Sequence, residues 1–393
     1  MIPKTKGAGD RLAPFSVLAG LLVQDSGFMN PVEIELIDRI DRKGPITIRD
    51  FMETVLYNPT HGYYNTPRPK IGPAGDYYTS SNVHAAFGEV LAKAISQMWA
   101  NAGGSAERMT LVEIGAGTGQ LAYDILRALN RLDQQSHGLR YVIVEQSKAM
   151  RAIQKGKLER WLDRVEWFQL ADLSRLEGIV LSNELFDSLP VHRVRRKAGG
   201  WQEQYVGIAG VSGREAPASR LTLIWGELSD SSLANYLGRY GDPIIEDQIV
   251  EVNLAALALL SEIAQVLVNG FVITIDYGDT AERLYSPSRR AGTIRSFYRH
   301  SLNTGLLDRP GEQDMTASVN FTALIDRGRD IGLEPVSFEA QTSFLIRMGL
   351  AEIVAAAASD EYGADIEARL ALKNLFVPGG ISDSFRVLIQ KRG

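Results

Sequence analysis

Thr110-Leu-Val-Glu-Ile-Gly-Ala-Gly-Thr-Gly119 decides the fold. Residues 111–114 form a short apolar run of the kind that makes a buried strand. Gly115, Gly117 and Gly119 end it abruptly, and Gln120-Leu-Ala-Tyr-Asp-Ile-Leu-Arg-Ala-Leu-Asn130 continues in a helical pattern. Strand, tight turn and helix start, in that order, mark the place where open α/β sheets bind nucleotide-like ligands. Glycine serves there because the chain turns sharply and a ligand must reach bare backbone. Taken alone, the loop also fits a plain strand-to-helix turn. Its spacing says more: Gly-x-Gly-x-Gly is shorter than the Gly-x-Gly-x-x-Gly of dinucleotide sites, which seat a pyrophosphate on a helix N-terminus. A cofactor without phosphate, such as S-adenosylmethionine, suits the shorter loop.

Outward from the loop, strands and helices alternate. Strands are expected at 141–145, 165–169, 178–183, 271–276, 333–338 and 385–390, with helices at 148–161 and 321–331. Repeated β–α units of this length imply a parallel sheet covered by helices on both faces, an α/β doubly wound architecture. Residues 191–206 and 220–228 read as hairpin material, residues 249–268 as one long helix, and residues 279–319 as a long polar loop. Upstream, residues 31–42 carry apolar positions at helical spacing, a second short helix follows from residue 46, and residues 83–99 read as a further helix. Between them, residues 57–82 are rich in turn formers and aromatics, as lids and binding loops are. The expected division is an N-terminal helical region with its lid loop over 1–105 and a core over 106–393. The core carries a β-rich insertion at 190–248 and a helical one at 340–380.

Composition excludes several classes. At 393 residues, 45% hydrophobic and 23% charged, the chain can bury a large core. A net charge of −5 gives no basic footprint for nucleic acid. With no cysteine, disulfides, zinc–thiolate sites and a thiol nucleophile are excluded. The five histidines show no metal-ligand spacing, so no metal is expected. No apolar run is long enough to span a membrane. Residues 13–23 are apolar but short, and read as part of an N-terminal extension rather than a signal peptide.

Several polar residues lie where chemistry is expected. Glu145 ends the second strand, where a carboxylate can accept hydrogen bonds from both ribose hydroxyls; a solvent-facing strand-end charge is the alternative. Asp172 follows the third strand, and two roles are open for it: an adenine acceptor or a helix cap. After the fourth strand comes Asn183-Glu-Leu-Phe-Asp-Ser-Leu-Pro-Val-His192. One helical turn would bring Glu184 and Asp187 to the same face, where paired carboxylates could grip a cation; a capping turn is the alternative. Asp276 ends the fifth strand beside them, as cap or as site residue. The basic run Arg193, Arg195, Arg196, Lys197 alternates with apolar residues and reads as the solvated face of a strand. His61 and His300 sit in the two long loops.

Val112 to Gly119 followed by Glu145 resembles the cofactor motifs of class I S-adenosylmethionine-dependent methyltransferases, whose fold has seven strands. Further tags extend the match in order: His61-Gly-Tyr-Tyr64, Gly75-Asp-Tyr-Tyr-Thr-Ser80, Phe87-Gly-Glu89, Ser182 to Val191, Asp276-Tyr-Gly278, and Arg299-His300 with Asp314-Met-Thr-Ala317 and Phe321. Together, over roughly residues 45–390, they are similar to the MidA family. That family includes the mitochondrial complex I assembly protein that symmetrically dimethylates an arginine. The chain departs from it at Ser81-Asn82, where the family usually reads Pro-Glu.

The resemblance implies S-adenosylmethionine as cofactor, held by Gly115, Ala116, Gly117, Gly119, Glu145, Asp172 and Asn183, with Asp76 and Thr79 from the lid. Glu184 and Asp187 are the expected catalytic pair for an arginine acceptor, and His61 and Tyr77 are expected to close over the cofactor, His61 among the catalytic residues. It also implies a protein substrate bearing the arginine, such as a respiratory-complex subunit, and leaves a homodimer open. A bacterial-type cytoplasmic setting is expected, or the mitochondrial matrix in a eukaryote. Two rivals remain: an NAD-dependent oxidoreductase, which the loop spacing opposes, and an assembly factor acting by partner binding alone. Base methylation of nucleic acid is disfavoured, because Asn183-Glu-Leu-Phe186 lacks the Pro-Pro-aromatic element that stacks a flipped base.

Overall fold

The computed structural model describes residues 30–66, 68, 70, 75–76, 84–103, 109–132, 139–209, 221–303, 305–353 and 384–393. Tyr77, Thr79, Ser81, Asn82, the apolar stretch 13–23 and most of the expected helical insertion lie outside them.

The chain opens with α1 (Pro31–Lys43), β1 (Ile46–Thr47) and α2 (Ile48–Tyr57). Both helices start on side-chain caps: Asn30 accepts from the Glu33 N–H and Thr47 from the Asp50 N–H, each satisfying an amide that a first helical turn leaves unpaired. Then come α3 (Ala86–Asn101), β2 (Thr110–Ile114), α4 (Gln120–Leu132), β3 (Arg140–Val144), α5 (Lys148–Lys157), β4 (Val165–Phe168) and β5 (Leu176–Asn183). Strands β6 (His192–Lys197), β7 (Gly200–Ile208) and β8 (Leu221–Gly226) precede α6 (Ser231–Tyr240), β9 (Ile249–Val252), α7 (Leu254–Val266) and β10 (Leu267–Asp279). The chain ends with α8 (Ala281–Leu284), β11 (Arg295–Tyr298), β12 (Ser301–Asn303), β13 (Asp314–Thr316), β14 (Val319–Asn320), α9 (Phe321–Asp330), β15 (Glu334–Ala340), α10 (Gln341–Arg347) and β16 (Phe385–Arg392).

The main sheet runs β15-β16-β10-β5-β2-β3-β4. Its β4, β3, β2, β5 and β10 pair in parallel, and β16 inserts antiparallel between β10 and β15. Alternate residues of each strand feed opposite layers. Leu111, Tyr141, Ile143, Leu181 and Ile273 pack with α3 and α4 on one face. Val112, Val142, Val180 and Val272 pack with α7 and α9 on the other. Burial on both faces is why these strands read as unbroken apolar runs rather than alternating ones. The expected seven-stranded doubly wound sheet is observed, with the two-residue β14 added as an eighth strand in parallel beside the end of β10.

A second sheet, β1-β7-β6-β9 with β8 on β7, is built from the segment after β5 and one strand from the N-terminus. Its core joins Leu36, Phe51 and Leu56 to Val191, Val206 and Met315.

Two sequence expectations need correction. Residues 249–268 are not one helix: Ile249–Val252 is strand β9, paired with β6, and α7 begins only after Asn253. The β-branched Ile-Val-Glu-Val run finds a partner strand, and Asn253 then caps the helix by accepting from Ala256 N–H. Residues 279–319 are not a loop throughout. They contain α8, the three-stranded sheet β12-β11-β13, and β14. These strands are only two to four residues long, too short to show a period in sequence.

Candidate active site

The C-terminal ends of β2, β3, β5 and β10 converge, and each contributes polar residues. After β2, Gly115, Gly117 and Gly119 adopt φ of 72°, 53° and 81°, a region that disfavours a Cβ. A Cβ on Gly115 would also lie 2.8 Å from Leu185 Cδ1. The loop is therefore both left-handed and pressed against the turn that follows β5.

Glu145 follows β3. Its Oε1 accepts from Ser147 N–H at 2.9 Å and its Oε2 from Gln154 Nε2 at 3.0 Å. The same Gln154 amide donates to the Gly117 carbonyl at 2.9 Å, and its Oε1 accepts from Trp167 Nε1 at 2.9 Å. Gln154 thus ties the acidic residue to the glycine loop, and Trp167 holds it in place. Burial pushes the Glu145 carboxyl up, against hydrogen bonds that favour the ion. Its lone pairs still exceed its donors, so a diol can add to it. Asn183 ends β5 with Oδ1 buried and without a hydrogen-bond partner among the described residues, while its Nδ2 donates to Glu184 Oε1 at 3.1 Å.

Glu184, Asp187, Asp276 and Asp314 gather just beyond. The segment 184–188 is a turn rather than a helix, and Glu184 holds φ at 53°, a strained setting for a non-glycine residue. Asp276 shapes this turn: its Oδ2 accepts from the N–H groups of Leu185 (3.1 Å), Phe186 (2.8 Å) and Asp187 (3.4 Å). The capping role left open for Asp276 is the one it plays. Burial pushes Asp276 up to about 7 despite these donors. Asp187 is buried with far fewer donors and faces Asp276, Glu184 and Asp314; burial first, and then those three charges, hold its carboxyl well above the usual range. Of the two, Asp187 is the better proton holder, because Asp276 has four backbone N–H groups opposing protonation.

Asp314, on β13, accepts from Tyr64 Oη at 2.7 Å; burial raises it to about 6. Tyr57 donates to the Ser188 carbonyl at 3.0 Å, and Tyr277 is pushed up by burial and then by Glu184, Asp187 and Asp276. The Tyr64 carbonyl accepts from Ser147 Oγ at 3.0 Å, so segment 57–66 bridges the Glu145 side and the carboxylate cluster.

The remaining expected site residues fall elsewhere. His61 is exposed, and its backbone N–H donates to Asn58 Oδ1 in a turn; its ring does not join the carboxylates. Asp76 is buried and engaged by Tyr63 Oη at 2.8 Å, Arg68 at 2.5 Å and Arg299 N–H at 2.7 Å, which ties together lid and hairpin. Asp172 is exposed and closes a capping box with Gln169, the second of its two open roles. Ala116 is buried within the glycine loop. Gln154, Asp314 and Tyr64 were not singled out as site residues. A buried-face glutamine at helical spacing from Ser147 and Met150 was a faint signal for Gln154; Asp314 had none beyond its family tag.

A left-handed glycine cradle, a ribose-competent Glu145 and an orphaned Asn183 carbonyl suit a nucleoside cofactor without phosphates. Residues 90–338 match the family model described as "Putative S-adenosyl-L-methionine-dependent methyltransferase". The chain belongs to this methyltransferase family. The methyltransferase is 30% identical over 353 residues to protein arginine methyltransferase NDUFAF7, mitochondrial, of Mus musculus, spanning 83% of this chain and 76% of the relative. It is 29% identical over 349 residues to the Homo sapiens protein of that name, spanning 82% and 74%. Among solved structures, a Burkholderia thailandensis protein bound to S-adenosyl-homocysteine superposes with a TM-score of 0.81 at 28% identity, covering 92% of each chain. These findings agree with the MidA-type resemblance and with S-adenosylmethionine as the cofactor. Among the described residues, no helix is long and apolar enough to cross a membrane.

Proposed function

We propose that this methyltransferase modifies an arginine side chain of a protein. The observation that carries the reading is the group of four carboxyls, Glu184, Asp187, Asp276 and Asp314, set beside the glycine cradle. A guanidinium stays cationic in water, its pKa being above about 12, and a cation meeting a sulfonium needs compensating negative charge. The relatives' name, protein arginine methyltransferase, supports the same acceptor.

In this reading Gly115, Ala116, Gly117, Gly119, Glu145 and Asn183 hold the cofactor, and the family resemblance adds Asp172, Asp76 and Thr79 to them. When bound, S-adenosylmethionine supplies a sulfonium methyl and leaves as S-adenosylhomocysteine. Glu184 and Asp187 orient the guanidinium and localise a lone pair on the attacking nitrogen. The nitrogen would form its bond to the methyl carbon as the sulfur–carbon bond breaks, and its proton would pass to Asp187, which the charge of the bound guanidinium holds as a carboxylate against the effect of burial. Asp276 acts through the turn it caps, as a positioning residue. Holding both reactants in line contributes on the order of 7–11 kcal/mol at best. The family resemblance assigns His61 and Tyr77 to a lid that excludes water. The region to residue 105 carries that lid, and residues 106–393 carry the cofactor core.

Family resemblance extends the proposal to symmetric dimethylation, to a respiratory-complex subunit as substrate and to a homodimer. The setting proposed is the cytoplasm of a bacterium or the mitochondrial matrix of a eukaryote, the second in keeping with the relatives' name. The test is incubation of extract from a deletion strain with enzyme and labelled cofactor, then mass spectrometry of the modified peptide. Label on arginine is expected, and lost in Glu184→Gln. A Glu184→Gln protein that binds cofactor and labels its target at the wild-type rate refutes the assignment.

A further inference from the structure

Arg299 and His300 form the tip of the β11–β12 hairpin. Tyr298 pairs with Ser301, so the two residues are a two-residue turn, and their φ values are 49° and 61°. Turns with both φ positive normally take Asn-Gly, because side chains are disfavoured there. Here the backbone is held in place from the lid side: Arg299 N–H donates to Asp76 Oδ1 at 2.7 Å and His300 N–H to the Asp76 carbonyl at 3.0 Å. A buried carboxylate therefore fixes a turn whose side chains are a poor choice for the turn itself and point to a role of their own.

That role is electrostatic. Arg309, Arg299 and Arg68 all lie over the Tyr298 ring, at 4.4, 5.2 and 5.6 Å from its centroid. Arg299 and Arg309 are exposed, and among the described residues no carboxylate pairs with either. Arg68 is held by Asp76 and by the Glu312 carbonyl. A concentration of cations is out of keeping with a chain of net charge −5, and more so beside an acidic pocket. The two are close: Asp314 pairs with Phe297, two residues before Arg299 on the same sheet. At about 3.3 Å of rise per extended residue, a peptide whose arginine enters the carboxylate cluster passes the cationic tip roughly two to four residues away.

We propose that Arg299, Arg309 and Arg68 form a carboxylate-binding rim that selects acceptor arginines with an aspartate or glutamate a few residues away in the same protein segment. The proposal rests on the arginine reading of the pocket. The exposure of the Arg299 and Arg309 guanidiniums suits a large partner, and the opposed charges of pocket and rim fix the direction in which it lies.

The test uses the full chain saturated with S-adenosylhomocysteine and two fluorescein-labelled Gly/Ser peptides with one central arginine. One carries glutamates flanking the arginine, the other glutamines, and binding is read by fluorescence anisotropy. The glutamate peptide is expected to bind about threefold to tenfold more tightly at low salt, with the preference collapsing near 0.5 M salt. Arg299→Gln/Arg309→Gln is expected to abolish the preference and leave S-adenosylhomocysteine affinity unchanged. Arg299→Asn/His300→Gly, which installs the residues the turn favours, should melt no lower than wild type and lose part of the preference, separating charge from folding. Equal binding of both peptides by the wild type, or a preference surviving in Arg299→Gln/Arg309→Gln, overturns the proposal. So does a loss of S-adenosylhomocysteine affinity with the preference intact, which would assign the cations to the cofactor's own carboxylate. Glu184→Gln separates the two readings: if it methylates the glutamate peptide at the wild-type rate and keeps the preference, the arginine-pocket assignment fails while the rim stands.

Discussion

Glu113 sits inside the motif strand β2 and is buried, with Tyr141 Oη donating to its Oε2 at 2.7 Å. Burial, and to a smaller extent the charge of Glu145, push its carboxyl up to about 7. An unfolded glutamate titrates at about 4.3. The folded group therefore keeps its proton over a range in which the unfolded one has lost it. Its contribution to stability is fully present below about pH 4.3, falls as pH rises, and is gone above about 7. At about 1.36 kcal/mol per unit, the ionised form costs on the order of 4 kcal/mol above neutrality, an upper bound. Glu113→Gln keeps an acceptor for Tyr141 and removes the charge. Its gain over wild type should be small near pH 5 and reach about 2–3 kcal/mol at pH 8.5. Urea unfolding of both proteins across that range, with midpoints converted through the m-value, reads the difference directly. A stability difference that is flat with pH, or that shrinks as pH rises, refutes the argument that a desolvated carboxyl sits under the glycine loop.

Gly115→Ala combines a left-handed φ with a Cβ 2.8 Å from Leu185, so it should cost about 1–3 kcal/mol and weaken S-adenosylhomocysteine binding measured by calorimetry. Asp276→Ala leaves the Leu185, Phe186 and Asp187 amides without their acceptor; a loss of about 3 kcal/mol or more in denaturation, with methyl transfer abolished, is expected, while Asp276→Asn should retain most of the fold. Gln154→Leu removes the link between Gly117 and Glu145 and leaves Trp167 Nε1 without its acceptor, so calorimetry should show cofactor affinity down about tenfold and the melting temperature should fall.

Much of the fold was legible because its signals are local. An apolar run of four residues stopped by Gly115, Gly117 and Gly119 reads as a strand entering a turn, and strands buried on both faces announce themselves without a partner in view. Ile249–Val252 misled for the converse reason: four β-branched or acidic residues before a helix take their state from β6, far upstream in sequence. The short strands of 295–320 carried too few residues to show a period.

The site divides the same way. Sequence alone determined the glycine loop and the presence of Glu145, Glu184 and Asp187, since each lies at the end of a recognisable strand. Tertiary structure decided what those groups touch. It made Asp276 a cap for the Glu184–Asp187 turn, set Gln154 between Glu145 and Gly117, brought Asp314 in from a separate sheet, and left His61 outside. It also placed Arg299 beside the lid through Asp76, more than two hundred positions away. Proton affinity and charge balance depend on burial and on neighbours across such separations, and both come into being only when the chain closes on itself.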